Sequence, residues 1–186
     1  MKLYIKNMVC SRCIAAVEKV FGEENMEISA INLGEVETKR GLNLTELRRL
    51  DLRLQDIGFE RLEDSSQQFI EKVKQSVLLL TDSLDIPEDF ILSKFLAGKL
   101  NREYSSISKL FSQNANVTLE QYFILQKIEK AKELLLYGEF SLTEISVKLG
   151  YRSVQHLSSQ FKNSTGFTPS GFKKLKVKNR IPLDKI

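Results

Sequence analysis

Polar and basic side chains fall on one side of a short helix predicted between residues 153 and 162. Its apolar side carries Val154, Leu157 and Phe161 at helical spacing. The other side, with the residues just before it, holds no acidic side chain and consists of Arg152, Ser153, Gln155, His156, Ser158, Ser159 and Lys162. Such side chains hydrogen-bond to base edges and phosphates, so the pattern predicts a nucleic-acid interface. The alternative is a solvated face of an ordinary small bundle, although such faces usually mix Glu with Lys.

Two cysteines, Cys10 and Cys13, form a C-x-x-C pair between a predicted strand and a predicted helix. Thiols at a helix N-terminus ionise readily, and two thiolates suit a soft ion such as Cu(I) or Zn(II). Zn(II) normally takes four ligands, and the single histidine, His156, is far away in the sequence. Three interpretations remain open: a Cu(I) site or one completed by a second molecule, a redox pair, or a loop without thiol chemistry.

The helix with the polar side is the second of three short helices predicted between residues 141 and 174. Ser141 and Glu144 have the spacing of a capping box, which predicts the start of the first helix. Gly150 is placed where that helix must end and the chain must turn, since glycine adopts the left-handed conformation at little cost. Thr168 followed by Pro169 predicts the start of the third helix.

Residues 141–174 resemble the end of the DNA-binding domain of AraC-type transcriptional regulators. The matching residues are Gly150-Tyr151, Leu157, Phe161-Lys162, Gly166, Thr168-Pro169-Ser170 and Phe172. Ser146 and Gly171 depart from the family pattern, in which alanine and a larger residue are usual. The resemblance implies that Arg152, Gln155 and Ser159 contact bases or phosphates of double-stranded DNA.

A similar half-motif lies earlier in the chain, before a long helix predicted to begin at Thr118. There Ile107, Leu110 and Phe111 are predicted to face inward, while the outward side carries Ser105, Ser106, Ser108, Lys109 and Gln113. The segment and the long helix resemble the first helix-turn-helix and the linker helix of AraC-type domains, so the resemblance covers about residues 68–174. It implies that one molecule reads two adjacent major grooves, about 34 Å apart, with Ser105, Ser106, Ser108 and Lys109 as DNA contacts of the first unit.

The first 64 residues predict the order strand, helix, strand, strand, helix, strand, which is typical of a ferredoxin-like α/β sandwich. The segment Met8 to Cys13 falls at the end of the first strand and the start of the first helix. The whole region resembles a heavy-metal-associated domain, although Asn7 stands where that family commonly has glycine. The resemblance implies soft-metal binding by Cys10 and Cys13.

The predicted fold class is therefore α+β, with two domains. A small ferredoxin-like sandwich in residues 1–64 is followed by an all-α tandem helix-turn-helix domain in residues 65–186, with a polar joint at residues 64–66. Positive charge is concentrated in one region: residues 140–186 hold nine basic and two acidic side chains, whereas the chain as a whole has a net charge of +4. Such clustering predicts a polyanionic partner.

Several classes are disfavoured by the sequence. It contains no long apolar run and no signal-peptide core, so we expect a cytoplasmic protein without a membrane span. No Gly-rich phosphate loop and no nucleophile–base pair with a third partner is evident, so we expect no enzymatic activity. RNA polymerase is a further candidate partner, and the oligomeric state is left open. The alternative function is a soft-metal carrier whose helical domain docks on another protein.

Overall fold

The computed structural model describes residues 1–175 and 180–186, which form two compact units, Met1–Gln75 and Ser76–Ile186. The division falls inside a helix, whereas the sequence placed the boundary after residue 64. The polar stretch predicted as a joint is the start of that helix, because Asp64 Oδ1 accepts a hydrogen bond from Gln67 N–H at 2.9 Å. The first half of the helix belongs with the first unit, since Lys72 Nζ lies 3.3 Å from the Tyr4 hydroxyl.

The first unit is built around a four-stranded antiparallel sheet. Its elements are β1 (Lys2–Lys6), α1 (Ser11–Glu23), β2 (Ile28–Asn32), β3 (Glu35–Thr38), α2 (Leu44–Asp56) and β4 (Glu60–Leu62), followed by the first part of α3 (Ser65–Asp82). The strands lie in the order β2-β3-β1-β4, and every neighbouring pair is antiparallel. The predicted order of strands and helices is confirmed.

The core of the first unit lies between the sheet and its two helices. Ile5 of β1, Phe21 of α1 and Leu50 of α2 are fully buried in one cluster. The start of α2 is specified locally, because the Asn43 side chain accepts from Glu46 N–H and the Glu46 carboxylate accepts from Asn43 N–H. Alternating apolar residues in the strands therefore meet the apolar stripes of α1 and α2 on one face of the sheet.

The described part of the second unit is helical. After the end of α3 come α4 (Leu92–Leu100), α5 (Tyr104–Asn114), α6 (Leu119–Tyr137), α7 (Leu142–Lys148), α8 (Val154–Thr165) and α9 (Pro169–Lys174), with a short 3-10 turn at Leu183–Lys185. The long helix α6 is central, and α5, α7, α8 and α9 all pack on it. Within the described residues, no helix is long and apolar enough to cross a membrane.

Residues on both sides of α6 are buried. Ile128 and Ala131 lie in one cluster with Leu157 and Phe161 of α8, while nearer the start of α6 the Tyr122 ring packs 5.3 Å from the ring of Phe111 in α5. Part of the basic stretch near the carboxyl end, residues 176–179, lies outside the described residues. Beyond it, the Arg180 guanidinium pairs with Glu133 of α6 at 3.0 Å.

Candidate nucleic-acid interface

The helix α8 separates its polar and apolar sides as the sequence predicts. Leu157 and Phe161 are fully buried, and five of the predicted contact residues are exposed. These five, Arg152, Gln155, His156, Ser159 and Lys162, are called the α8 polar face below. Ser153 was also predicted as a contact and is exposed. Its hydroxyl, however, accepts a hydrogen bond from His156 N–H at 3.1 Å. Ser153 is therefore the N-cap of α8.

The first helix-turn-helix presents a similar but less basic surface on α5. Ile107 and Phe111 are fully buried with the same four-residue spacing as Leu157 and Phe161. The predicted contacts on the other side are Ser105, Ser106 and Lys109, which are exposed and are called the α5 polar face, and Ser108, which is half-buried.

The turn before α8 is held by the segment around Ile86, which follows α3. Ile86 N–H donates to the carbonyl oxygen of Lys148 at 3.2 Å, and Ile86 and Leu149 form a short parallel bridge. Gly150 has φ +64, and a Cβ there would lie 2.6 Å from Ile86 Cγ2 and 2.9 Å from the carbonyl oxygens of Ile86 and Pro87. Glycine is therefore required here both for its conformation and for the close approach of this segment.

The ring of Tyr151 connects this turn to α8. Tyr151 is 4% exposed, and its hydroxyl donates to Gln160 Oε1 at 2.6 Å. Its ring also contacts the ring of His156 edge-on, with centroids 5.3 Å apart. Burial raises the pKa of Tyr151, so its hydroxyl keeps its proton and remains a donor. One buried side chain thus holds α8 at two points.

A buried lysine also contacts the Tyr151 ring. Lys127 of α6 is 8% exposed, and its Nζ is 3.7 Å from the Tyr151 ring centroid and 5.3 Å from that of Phe123. Burial lowers the pKa of Lys127 to about 8. No motif in the sequence indicates a role for Lys127, although its position four residues after Phe123 and four before Ala131 places it in the apolar stripe of α6.

Two acidic side chains flank the basic start of the α8 polar face. Glu88 and Asp89 line an open cleft of about 520 Å³ together with Arg152. Both carboxylates are exposed. Residue spacing does not indicate this proximity, because Glu88 and Asp89 belong to a segment more than sixty residues earlier in the chain.

The helix α9 packs against α8, and its start is specified by local signals in the sequence. The hydroxyl of Thr168 accepts from Gly171 N–H at 3.1 Å, and Pro169 occupies the first turn of α9. Phe172 is buried against Phe161, with ring centroids 5.5 Å apart. The predicted cap and proline start of α9 are confirmed.

The cysteine pair lies in the first unit at the start of α1. Cys10 is exposed and Cys13 half-buried, and their Sγ atoms are 3.6 Å apart. Burial opposes ionisation of both thiols and raises the pKa of Cys13; for Cys10, hydrogen bonds from the backbone and thiol of Cys13 outweigh burial and lower its pKa. Met8 is fully buried, and its Sδ accepts from Gly34 N–H at 3.3 Å.

The cysteine pair is not part of a larger cluster of ligands in the described residues, because no group of three or more His, Cys, Asp or Glu side chains there could hold a metal ion. The predicted metal residues Cys10 and Cys13 are thus brought together, and His156 belongs to the other compact unit.

Comparison with known proteins assigns the helical region. Residues 96–175 match the model of a helix-turn-helix domain family. The Msm operon regulatory protein of Streptococcus mutans is 32% identical over 79 residues, which cover 42% of this chain and 28% of that protein. The HTH-type transcriptional activator RhaR of Mannheimia succiniciproducens is 25% identical over 154 residues, covering 81% of this chain and 55% of that protein.

The chain therefore spans about half of RhaR and less than a third of the Msm regulator. Among solved structures, the C-terminal domain of AraT, a response regulator from Geobacillus stearothermophilus, is similar in fold. It is 22% identical, with a TM-score of 0.50, and the match covers 61% of this chain and 87% of that one. Residues 96–175 thus form a helix-turn-helix domain whose fold is similar to that of the C-terminal domain of AraT.

Proposed function

We propose that this chain is a sequence-specific regulator of transcription that binds double-stranded DNA with α5 and α8 in two adjacent major grooves. The carrying observation is that two short helices, each with an exposed polar face free of acidic residues, pack on one long helix. The 19 residues of α6 span about 28 Å at about 1.5 Å per residue. That length is comparable to the about 34 Å between successive major grooves on one side of B-DNA.

The two faces have different chemistry, which suggests different roles. On the α8 polar face, Arg152 can donate two hydrogen bonds to guanine, Gln155 can pair with adenine, and Ser159 can hydrogen-bond to several base edges. On α5, Lys109 is the basic residue of the polar face, and the neighbouring serines suit phosphate contacts. We infer that α8 supplies most of the sequence discrimination and that α5 mainly positions the domain on the backbone.

Charge supports this assignment of the helical region as the DNA-binding part. Residues 140–186 hold an excess of basic side chains, and two of these, Arg152 and Lys162, are exposed on the α8 polar face. A regulator that binds DNA in this way must also affect the transcription machinery, and we propose RNA polymerase as a further partner. Of the relatives named above, one is described as a regulatory protein and one as an activator, which is consistent with either activation or repression at a promoter.

The proposal is tested by selecting bound fragments from random double-stranded DNA near physiological salt. Wild-type protein is compared with a Gln155→Ala, Ser159→Ala variant. Ser164→Ala is the matched control, because Ser164 is an exposed residue of the same helix and lies about 180° around it from Gln155 at about 100° per residue.

Wild type and the control should enrich one bipartite motif, and the double variant should lose preference in one half of it. Each lost base contact should cost about 1–3 kcal/mol. Enrichment of no motif by wild type, with binding that falls steeply as salt rises, would mean phosphate attraction alone and would contradict the proposal.

For the first unit, we propose a ferredoxin-like fold of the heavy-metal-associated type that modulates DNA binding through a soft metal ion. The element order and the sheet order β2-β3-β1-β4 support the fold. The sulfur positions support the ion: two sulfurs bonded at about 2.3 Å to a tetrahedral ion are about 3.8 Å apart, close to the 3.6 Å between Cys10 Sγ and Cys13 Sγ. Further ligands would come from a second molecule, and a two-coordinate Cu(I) would need none.

A further inference from the structure

Lys127 is an unusual side chain for the interior of a helical domain. It is 8% exposed, and within the described part of the chain no carboxylate lies within ion-pair distance of its ammonium. Burying a charge without an ionic partner is unfavourable, and methionine would fill nearly the same space without that cost. The charge itself therefore calls for an explanation.

The two rings that contact the Lys127 ammonium are themselves in contact with different parts of the helical domain. Phe123 packs against Phe90 with ring centroids 5.7 Å apart, and Phe90 packs against Phe95 of α4 at 5.5 Å. The Tyr151 hydroxyl donates a hydrogen bond to Gln160 of α8, and its ring contacts the ring of His156. Lys127 thus lies between an aromatic cluster next to the first helix-turn-helix and the residue that holds α8.

Attraction between a cation and an aromatic ring is directional. It is strongest when the cation lies over the ring face, and 3.7 Å to the Tyr151 centroid is a close approach of this kind. An apolar side chain would pack against the edge of the ring nearly as well as against its face. The ammonium therefore restricts the tilt of Tyr151, and the Tyr151 hydroxyl passes that restriction to α8.

We propose that Lys127 is a positioning residue that fixes the α8 polar face relative to α6, and thereby the spacing between the two DNA half-sites that one molecule accepts. The inference rests on the proposed binding of α5 and α8 to adjacent grooves. Lys127 touches no DNA in this account and acts through Tyr151.

The first step of the test is to separate positioning from folding. Lys127→Met removes the charge, Lys127→Arg keeps a cation that can lie over a ring, and Lys94→Met removes an exposed charge from α4 as a control for net charge. Lys127→Met should unfold at no lower denaturant concentration than wild type, because it loses a buried charge. Lys127→Gln is a second neutral variant, and the binding test uses whichever neutral variant keeps wild-type helicity.

The second step uses the duplex that wild type selects, together with duplexes in which one base pair is added or removed between the half-sites. Wild type, Lys127→Arg and Lys94→Met should prefer the selected spacing strongly. In the neutral Lys127 variant, the ratio of affinities for the selected and the altered spacing should be about tenfold smaller than in wild type. This is the size expected for one well-placed cation–π contact. Its dependence on salt should match that of wild type, because Lys127 neutralises no phosphate.

Two results would overturn this inference while leaving the proposed function intact. One is an unchanged spacing preference in the neutral variant; the other is a uniform loss of affinity with a salt dependence weaker by about one ion, which would identify Lys127 as a phosphate contact. If wild type selects no duplex at all, the proposed function and this inference both fail.

Discussion

Ile86 approaches Gly150 so closely that a Cβ on Gly150 would lie 2.6 Å from Ile86 Cγ2. The contact joins the segment after α3 to the turn of the second helix-turn-helix, where Ile86 N–H also donates to the Lys148 carbonyl. The start of α8 is therefore held by a part of the chain that is not included in residues 96–175, which match the helix-turn-helix family model.

Gly150→Ala should lower the free energy of unfolding by about 3 kcal/mol, because it combines a left-handed backbone with overpacking against Ile86. Gly138→Ala is the matched control, since Gly138 has φ +72 but no atom within 4 Å of an added Cβ. That variant should lose only about 1 kcal/mol. Urea denaturation of both measures the difference, and equal losses would show that Ile86 moves away at no cost.

Lys127 should make stability depend on pH. Its pKa is about 8 in the folded protein and ordinarily 10.5, so between these values the unfolded chain binds more protons. The contribution of Lys127 to the free energy of unfolding therefore rises as the pH increases from about 8 to 10.5. The rise is at most about 3 kcal/mol, because attraction to the two aromatic rings offsets part of the cost of burying the charge.

Lys127→Met should consequently be more stable than wild type at pH 7, and the advantage should shrink at pH 9.5. Urea denaturation of both proteins at the two pH values measures this. A stability difference that is the same at pH 7 and pH 9.5 would show that Lys127 ionises normally.

Ser153 and Ser159 should respond differently to alanine, although both were predicted as DNA contacts. Ser153 caps α8 through His156 N–H, so Ser153→Ala should cost about 1 kcal/mol of stability. Ser159 is exposed on the α8 polar face, so Ser159→Ala should leave the midpoint of thermal unfolding unchanged and weaken only specific DNA binding. Thermal unfolding and binding to the selected duplex distinguish the two; a fall in stability of the Ser159 variant would contradict its assignment to the interface.

Reduced protein should bind one Cu(I) per chain or per pair of chains, with a Kd below about 1 µM, and Cys10→Ser should abolish binding. Met8→Leu is the control: Met8 is fully buried and its sulfur accepts from Gly34 N–H, so its loss should leave metal affinity intact. Titration against a chelator of known affinity measures this for each protein. Failure of wild type to compete would leave the cysteine pair without a metal role.

Local signals in the sequence were enough to predict most elements of the second unit. The capping box of Ser141 and Glu144 and the Thr168-Pro169 start of α9 are both confirmed. Each depends on residues within one helical turn, so spacing alone predicts it. The same is true of the division of α8 into polar and apolar sides, which follows from helical periodicity.

Contacts between distant residues could not be predicted in this way. Nothing in the spacing of the stretch around Ile86 indicates that it docks on Gly150, and the proximity of Glu88 to Arg152 likewise needs the folded chain. The division between the two units inside α3 depends on which side chains of one amphipathic helix meet the sheet, because an apolar stripe does not specify its partner.

The sequence by itself determined where the helices begin and which side chains α8 presents, since caps and periodicity act over a few residues. Tertiary structure alone decided that Lys127 is buried over the face of Tyr151. A lysine in an apolar stripe can extend to solvent or fold beneath a ring, and only the packing of α6 against the turn before α8 selects the second arrangement.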